Sequence, residues 1–394
     1  MTLARDDLMA AAVAGTGLTD FGADSFREGL KRLTDALQTE GRLTPLGTQI
    51  MRMRLVGLLS SRLRIQDTCS RHPEIADQEV TAPIFIIGLP RTGTTALSNL
   101  LHADPAIRSL RLWESSSPVP PPETATEATD PRIAETAQGL QAMYDTFPRM
   151  RSLYFQTATG PTECQDLLGM EFRTSHFDGM ATVPSYTRWV LDCDMAAAYQ
   201  WHLRTLQLLQ WHCPPRQWHL KTPVHMLSLP ALRAVYPGAR FIWTHRDPAE
   251  VMGSVCSLIA YTRSWVSEEP PAGIGAEQTA IWKEALRRAM RFRAEVGEEP
   301  FADVSFQTLN TDPVRAVADS FEKLGIPFDE VSRAAVQEWA SAHRPGQEGA
   351  HEFALQEFDL TAEGVRRDFA FYRDRFGDQA TARPSGSRPA GRPG

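Results

Sequence analysis

The sequence predicts an α/β protein, with a central parallel sheet flanked by helices in three layers and a helical extension in front. Three observations carry this. Strand-like and helix-like segments alternate from residue 83 onward. The stretch PIFIIGLPRTGTTALSNLL, residues 83–101, reads as a buried strand, a glycine loop and a helix start. Within residues 1–80, two stretches place apolar residues at helical spacing.

The elements follow in chain order. Phe26, Leu30, Leu33 and Leu37 mark one helical face, with Gly41 as its stop. Leu55, Leu58, Leu59 and Leu63 mark a second. IFII, residues 84–87, is the first strand, and a helix begins near Thr95. Residues 115–132 are rich in Pro, Ser and Thr and read as an irregular loop before a helix near 133–147. In PTECQDLLGM, Thr162 and Gln165 have capping-box spacing at a helix start. Helical sequence resumes at about 195–212. QWHLKTP and RFIWTHRD read as strands, each followed by a helix. FADVSFQTL reads as a late strand, and DPVRAVADSFEKLGI as its helix. The expected division is a helical extension at 1–80, an α/β domain at 81–377 and a low-complexity, disordered tail at 378–394.

Bulk properties narrow the function. The chain has 394 residues, 42% of them hydrophobic, and a formal charge of -7. That balance argues against nucleic acid as partner. The five cysteines are scattered and include no C-x-x-C pair, so a reducing, cytoplasmic setting and no metal centre are expected. No apolar run approaches the roughly 18 residues that span a bilayer.

Gly88 and Gly93 stand at the interval of a phosphate-binding loop, which makes the expected fold P-loop-like. Such a turn aims backbone N–H groups inward, and the helix N-terminus adds positive potential. Thr92, Thr94 and Thr95 supply hydroxyls. The lysine of nucleoside triphosphatases is missing, because Gly93 is followed by Thr94 and Thr95. The one cation in the loop is Arg91, a planar, permanently charged fork. The loop suits a phosphate- or sulfate-like oxyanion without a metal. Downstream, Arg246 closes a strand, Asp247 and Pro248 have the chemistry of a helix start, and Ser254 lies about two turns on.

LPRTGTT followed by HRDPxxxxxS resembles the sulfotransferases that use 3′-phosphoadenosine 5′-phosphosulfate, over roughly residues 83–375. The loop is most similar to those of tyrosylprotein and bacterial members. TGLTDFG and RLTPLG also resemble stretches of bacterial members. The resemblance implies that Arg91, Thr92, Gly93, Thr94 and Thr95 hold the phosphosulfate, and that Arg246 and Ser254 hold the 3′-phosphate. It implies in-line attack of an acceptor hydroxyl on sulfur. Lys221, in the Lys-Thr-Pro element, is then the second catalytic cation, beside Arg91. Glu114 is the favoured general base, although it sits two residues later than in tyrosylprotein members. Glu163, His219 and His225 are its competitors. The loop 343–353, with Arg344 and His351, is expected to close over the nucleotide, and Ala96 stands where cytosolic members place a tryptophan. The acceptor site is expected from 113–160 and 170–190. If Met170, Phe172, Phe177, Met180, Tyr186 and Trp189 line it, a small apolar or aromatic alcohol, or a lipid-like one, is favoured. The other readings are a P-loop kinase or nucleoside triphosphatase, and a non-catalytic nucleotide-binding protein.

Overall fold

The computed structural model describes residues 2–214, 216–268, 273–343 and 353–380. Five strands form one parallel sheet: β1 (Ile84–Gly88), β2 (Ile107–Ser109), β3 (Gln217–Lys221), β4 (Arg240–His245) and β5 (Phe301–Ser305). Their order is β2-β3-β1-β4-β5. From β1 the chain winds to one side for β2 and β3, then to the other for β4 and β5. This reversal opens a crevice at the carboxyl ends of the strands beside β1, where α/β sheets bind ligands.

Every residue of β1 is buried, as a parallel strand covered on both faces requires. Side chains alternate between two cores. Phe85, Ile87, Trp218, Leu220, Phe241 and Trp243 point into the larger, with the N-terminal helices. Ile84, Ile86, Ile242, Ala302 and Val304 point into the smaller, with the helices Thr94–Ala103 and Pro313–Leu324. The fold is therefore the three-layer, P-loop-like arrangement that the sequence predicts.

The N-terminal helices are fastened to the sheet layer by Arg62. Its buried guanidinium donates to Phe21 O, Ala23 O and Met170 O, pairs with Glu171 at 2.6 Å and stacks 3.9 Å from the Trp201 ring centroid. A buried charge persists only when paired in this way.

Of the two capped helix starts expected from the sequence, one holds. The Asp247 carboxylate accepts from Ala249 N at 3.0 Å, with Pro248 opening the helix Pro248–Arg263. The capping box at Thr162 does not form. That helix runs Gln165–Gly169, and Thr162 Oγ1 instead accepts from Gln156 Nε2 at 3.0 Å. The three-residue β2 is too short to show a period, and the helix Ile274–Val296 falls in a stretch left unassigned from the sequence. Residues 344–352 of the expected nucleotide loop and the tail from 381 lie outside the described residues.

Candidate active site

The glycine loop joins β1 to the helix Thr94–Ala103. Its glycines are demanded by space and conformation. Gly88 has φ +140, and a Cβ there would lie 2.4 Å from Thr244 Oγ1. Gly93 has φ +91, and its Cβ would meet Leu309 Cδ2 at 2.7 Å. Only glycine takes both without strain. Thr92 fixes the loop rather than facing its interior, because its buried Oγ1 lies 2.6 Å from Leu89 O and 2.6 Å from Thr244 Oγ1. Thr94 is also buried, whereas Thr95 turns toward Lys221.

Arg91 is itself in the left-handed region, with φ +67. Its Nε donates to Ser254 Oγ at 3.1 Å and its Nη1 to Leu153 O at 2.7 Å. Arg246 donates from Nη1 to Arg91 O at 3.2 Å, lies over the Phe306 ring at 4.1 Å and pairs with Glu250. The residues taken from two distant motifs thus meet in one cationic patch. Burial, and then the neighbouring Arg246 charge, lowers the Arg91 pKa from its ordinary value. Two like charges held together beside a glycine loop at a helix N-terminus fit an anion of more than one charge.

A second cluster lies at the end of β3. Lys221, 1% exposed, donates to Glu163 Oε1 at 3.0 Å and to Thr95 Oγ1 at 3.2 Å. Thr222 Oγ1 donates to Glu163 Oε2 at 3.1 Å. Burial pushes the Glu163 carboxyl up, but the Lys221 ammonium, helped by the Gln165 amide and His176, holds the group below the ordinary carboxylate range. Glu163 is therefore ionised at neutral pH. Burial, then the Glu163 charge, raises the Tyr154 phenol well above its ordinary value, so it stays protonated.

Glu114 does not take the place the sequence reading gave it. Its side chain is 0% exposed, bonded to Arg108 at 3.0 Å and Arg111 at 2.7 Å, with its second oxygen on Arg111 N at 3.2 Å. A carboxylate held by two guanidinium groups inside the protein has neither access to an acceptor nor a free lone pair aimed at one. The spacing Arg111-x-x-Glu114 was the available signal. His219 is likewise structural, held between Ser98 at 3.0 Å and Ser109 at 2.8 Å. His225 is buried, with Tyr199 on its Nδ1.

A cavity of about 670 Å³ opens beside the second cluster. Glu163 and Tyr154 are polar groups in its lining, together with Pro90 of the glycine loop and Pro223. Leu140, Met143, Met150, Leu258, Ile259 and Ile281 supply apolar walls. Its remaining charged groups are internally paired: Asp166 with Arg54, and Asp178 with Arg263. His176, missed from the sequence, also lines it. Burial, and then Arg54, lowers that imidazole to about 4, so it is neutral at pH 7. Of the aromatic and Met residues expected to line an acceptor site, Met180 does. Met170, Phe172, Phe177 and Tyr186 are core, and Trp189 packs against that core.

Comparison with known proteins places this geometry. Residues 83–330 match the family model described as "Sulfotransferase family". The crystal structure of sulfotransferase STF1 from Mycobacterium tuberculosis H37Rv is similar, with TM-score 0.84, 35% identity, and coverage of 93% of this chain and 98% of that one. Sulfotransferase STF9 from Mycobacterium avium gives TM-score 0.88 at 32% identity, covering 94% and 96%. An omega-hydroxy-beta-dihydromenaquinone-9 sulfotransferase from Mycobacterium tuberculosis (strain CDC 1551 / Oshkosh) is 23% identical over 316 residues, 78% of each chain.

Proposed function

The chain belongs to the sulfotransferase family, and from that premise we propose that it moves a sulfuryl group from 3′-phosphoadenosine 5′-phosphosulfate to the hydroxyl of an apolar, lipid-like acceptor. The observation that carries this reading is the largely apolar cavity lined by Glu163 and by Pro90 of the glycine loop, with Lys221 bonded to Glu163 and to Thr95. A similar relative is named for a menaquinone derivative bearing an ω-hydroxyl, which fits a terminal alcohol delivered by an apolar chain.

In the proposed step the acceptor hydroxyl lies against Glu163, which takes its proton as the oxygen–sulfur bond forms. The sulfur–oxygen bond to the nucleotide breaks, and adenosine 3′,5′-bisphosphate leaves with the electron pair. Lys221 and the loop N–H groups oppose the charge on the moving group and the leaving oxygen. Gly93, Thr94 and Thr95 contribute the loop donors, with the Thr92 backbone. Arg91, Arg246 and Ser254 hold the phosphates, and Arg91 bridges the loop and the Ser254 side. No metal is required for this step. His176, neutral beside the cavity, is a polar neighbour for the hydroxyl rather than its base, because Glu163 is the group charged at neutral pH. The cytoplasm, where the donor nucleotide is made, is the proposed location.

The test is thermal stabilisation by ligands, since binding to the folded state raises its melting temperature. Adenosine 3′,5′-bisphosphate is expected to stabilise the wild type and to lose most of that effect in Arg246→Ala. Stabilisation by ATP with magnesium but not by the bisphosphate would overturn the reading in favour of a nucleoside triphosphatase. Binding without sulfuryl transfer to any phenol, sterol or alkyl alcohol would point to a non-catalytic protein.

A further inference from the structure

Directly behind the Glu163–Lys221 pair lies a cluster that the sulfuryl chemistry does not use. Cys164, His202 and His225 are all buried, and one donor atom from each lies within 4.8 Å of the others. They come from three separate segments. Cys164 follows Glu163, His202 sits on the helix Ala196–Gln210, and His225 follows the Lys221-Thr222-Pro223 turn. From sequence nothing groups them, because none shares a short motif with another.

The rings are held in a particular way. His202 Nδ1 lies 2.7 Å from Tyr236 Oη, and His225 Nδ1 lies 2.9 Å from Tyr199 Oη. In both rings Nε2 is buried and has no hydrogen-bond partner among the described residues. A buried imidazole nitrogen without a partner is costly. Each ring also has a donor atom within 4.8 Å of the Cys164 sulfur, and a hydrogen bond on one ring nitrogen is how proteins fix the orientation of a metal-binding histidine. With Nδ1 as the donor to each phenol oxygen, Nε2 carries the free lone pair.

We propose that Cys164, His202 and His225 bind a single thiophilic, closed-shell metal ion, monovalent copper or zinc. One thiolate and two imidazoles are donors that both ions accept. Metal–ligand bonds of about 2.0–2.3 Å put neighbouring donors about 3.4–3.8 Å apart, a contraction of at most about 1.4 Å from the 4.8 Å limit on their spacing here. Charge favours copper. The thiolate and a monovalent ion make a neutral centre, whereas zinc leaves a net positive charge in a pocket walled by Phe85, Tyr199 and Tyr236. Glu163, the neighbour of Cys164 in the chain, is already neutralised by Lys221. The ion would pin two segments that position the active site, since Cys164 N donates to Lys221 O at 3.0 Å.

The test uses the full chain, reduced and metal-free, titrated without oxygen with monovalent copper and in parallel with zinc. One equivalent of one ion is expected to survive gel filtration and to raise the melting temperature. X-ray absorption of the loaded protein is expected to show one sulfur and two nitrogen neighbours. Cys164→Ser and His202→Gln are expected to lose that equivalent. A variant with Cys69, Cys193, Cys213 and Cys256 all changed to Ser is expected to keep it, which separates loss of the site from failure to fold. Zinc retained in preference to copper would support the site and overturn the charge argument. Retention of neither ion by the wild type, or equal retention by Cys164→Ser, would overturn the proposal. Because the readouts are metal content and spectroscopy, their failure leaves the sulfuryl-transfer reading untouched.

Discussion

Lys221 Nζ lies 3.0 Å from Glu163 Oε1 and 3.2 Å from Thr95 Oγ1. One buried ammonium therefore joins the end of β3, the first turn of the loop helix and a carboxylate that lines the apolar cavity. The pair lowers the pKa of Glu163 and at the same time sets a cation where a transferring anion would need one. In the proposed reaction, proton acceptance and charge stabilisation would be coupled through this single contact.

Glu163→Gln keeps the side-chain shape and removes the base. Turnover is expected to fall roughly 100-fold or more, while adenosine 3′,5′-bisphosphate still stabilises the protein. Glu114→Gln should behave in the opposite way. It leaves Arg108 and Arg111 buried against a neutral amide, and losing a buried ion pair costs about 3 kcal/mol of stability. Steady-state kinetics and chemical denaturation of the two variants distinguish these outcomes. A large loss of turnover in stable Glu114→Gln would restore that residue as the base.

Lys221→Ala is expected to lower turnover roughly 100-fold, as removal of a charge stabiliser does. It should also move the pH profile. Lys221 holds the Glu163 pKa down, and without it the remaining effect of burial raises that pKa. The acid limb of kcat/KM, where Glu163 loses activity by protonation, should shift to higher pH. Measuring kcat/KM from acid to neutral pH in both proteins checks the sign. An unshifted limb would mean that another group titrates there.

The parts of the site built from local sequence were legible. Strand, glycine interval and Asp247-Pro248 cap are written in adjacent residues, and so the meeting of Arg91 with Arg246 and Ser254 followed from the two motifs. The choice of proposed base was not legible in the same way. Glu114 and Glu163 look alike in sequence, and what separates them is burial. Arg108 and Arg111 enclose one, while a lysine from β3 and an open cavity face the other. The proposed acceptor cavity was only half legible, because the helices Pro248–Arg263 and Ile274–Val296 contribute walls from far along the chain. The aromatic cluster around Phe172 has the composition of a ligand box but is packed as core.

His219 should make the fold sensitive to acid. It is buried between Ser98 and Ser109, and burial first, then His102 and Lys221, lower its pKa to about 3. An unfolded histidine titrates near ~6.5. Between these values the unfolded chain binds the extra proton, so the stability from a neutral His219 is complete above pH ~6.5 and declines as pH falls toward 3. Denaturant unfolding at neutral pH and at mildly acidic pH should show this loss. His219→Gln, which cannot titrate, should flatten the dependence. An equally steep dependence in the variant would assign the acid sensitivity to other buried groups.

The apolar cavity makes acceptor length a readable quantity. Leu258 and Ile259 lie on its wall, on the helix that also carries Ser254. Leu258→Trp or Ile259→Trp would fill space along the chain path while leaving Glu163, Lys221 and the glycine loop in place. Burying one methylene contributes about 0.8 kcal/mol. Excluding two or three of them should therefore cost about 2 kcal/mol, which is roughly 30-fold in kcat/KM for a long-chain alcohol. Short alcohols that never reach the obstruction should react as they do with the wild type. A homologous series of ω-hydroxy alkyl acceptors, assayed with each variant, separates the cases. If the loss is confined to chains above a threshold length, the cavity is the acceptor channel and the filled position gives its depth. If short and long acceptors lose activity equally, the substitution has disturbed the Glu163 end instead, and the acceptor enters by another route.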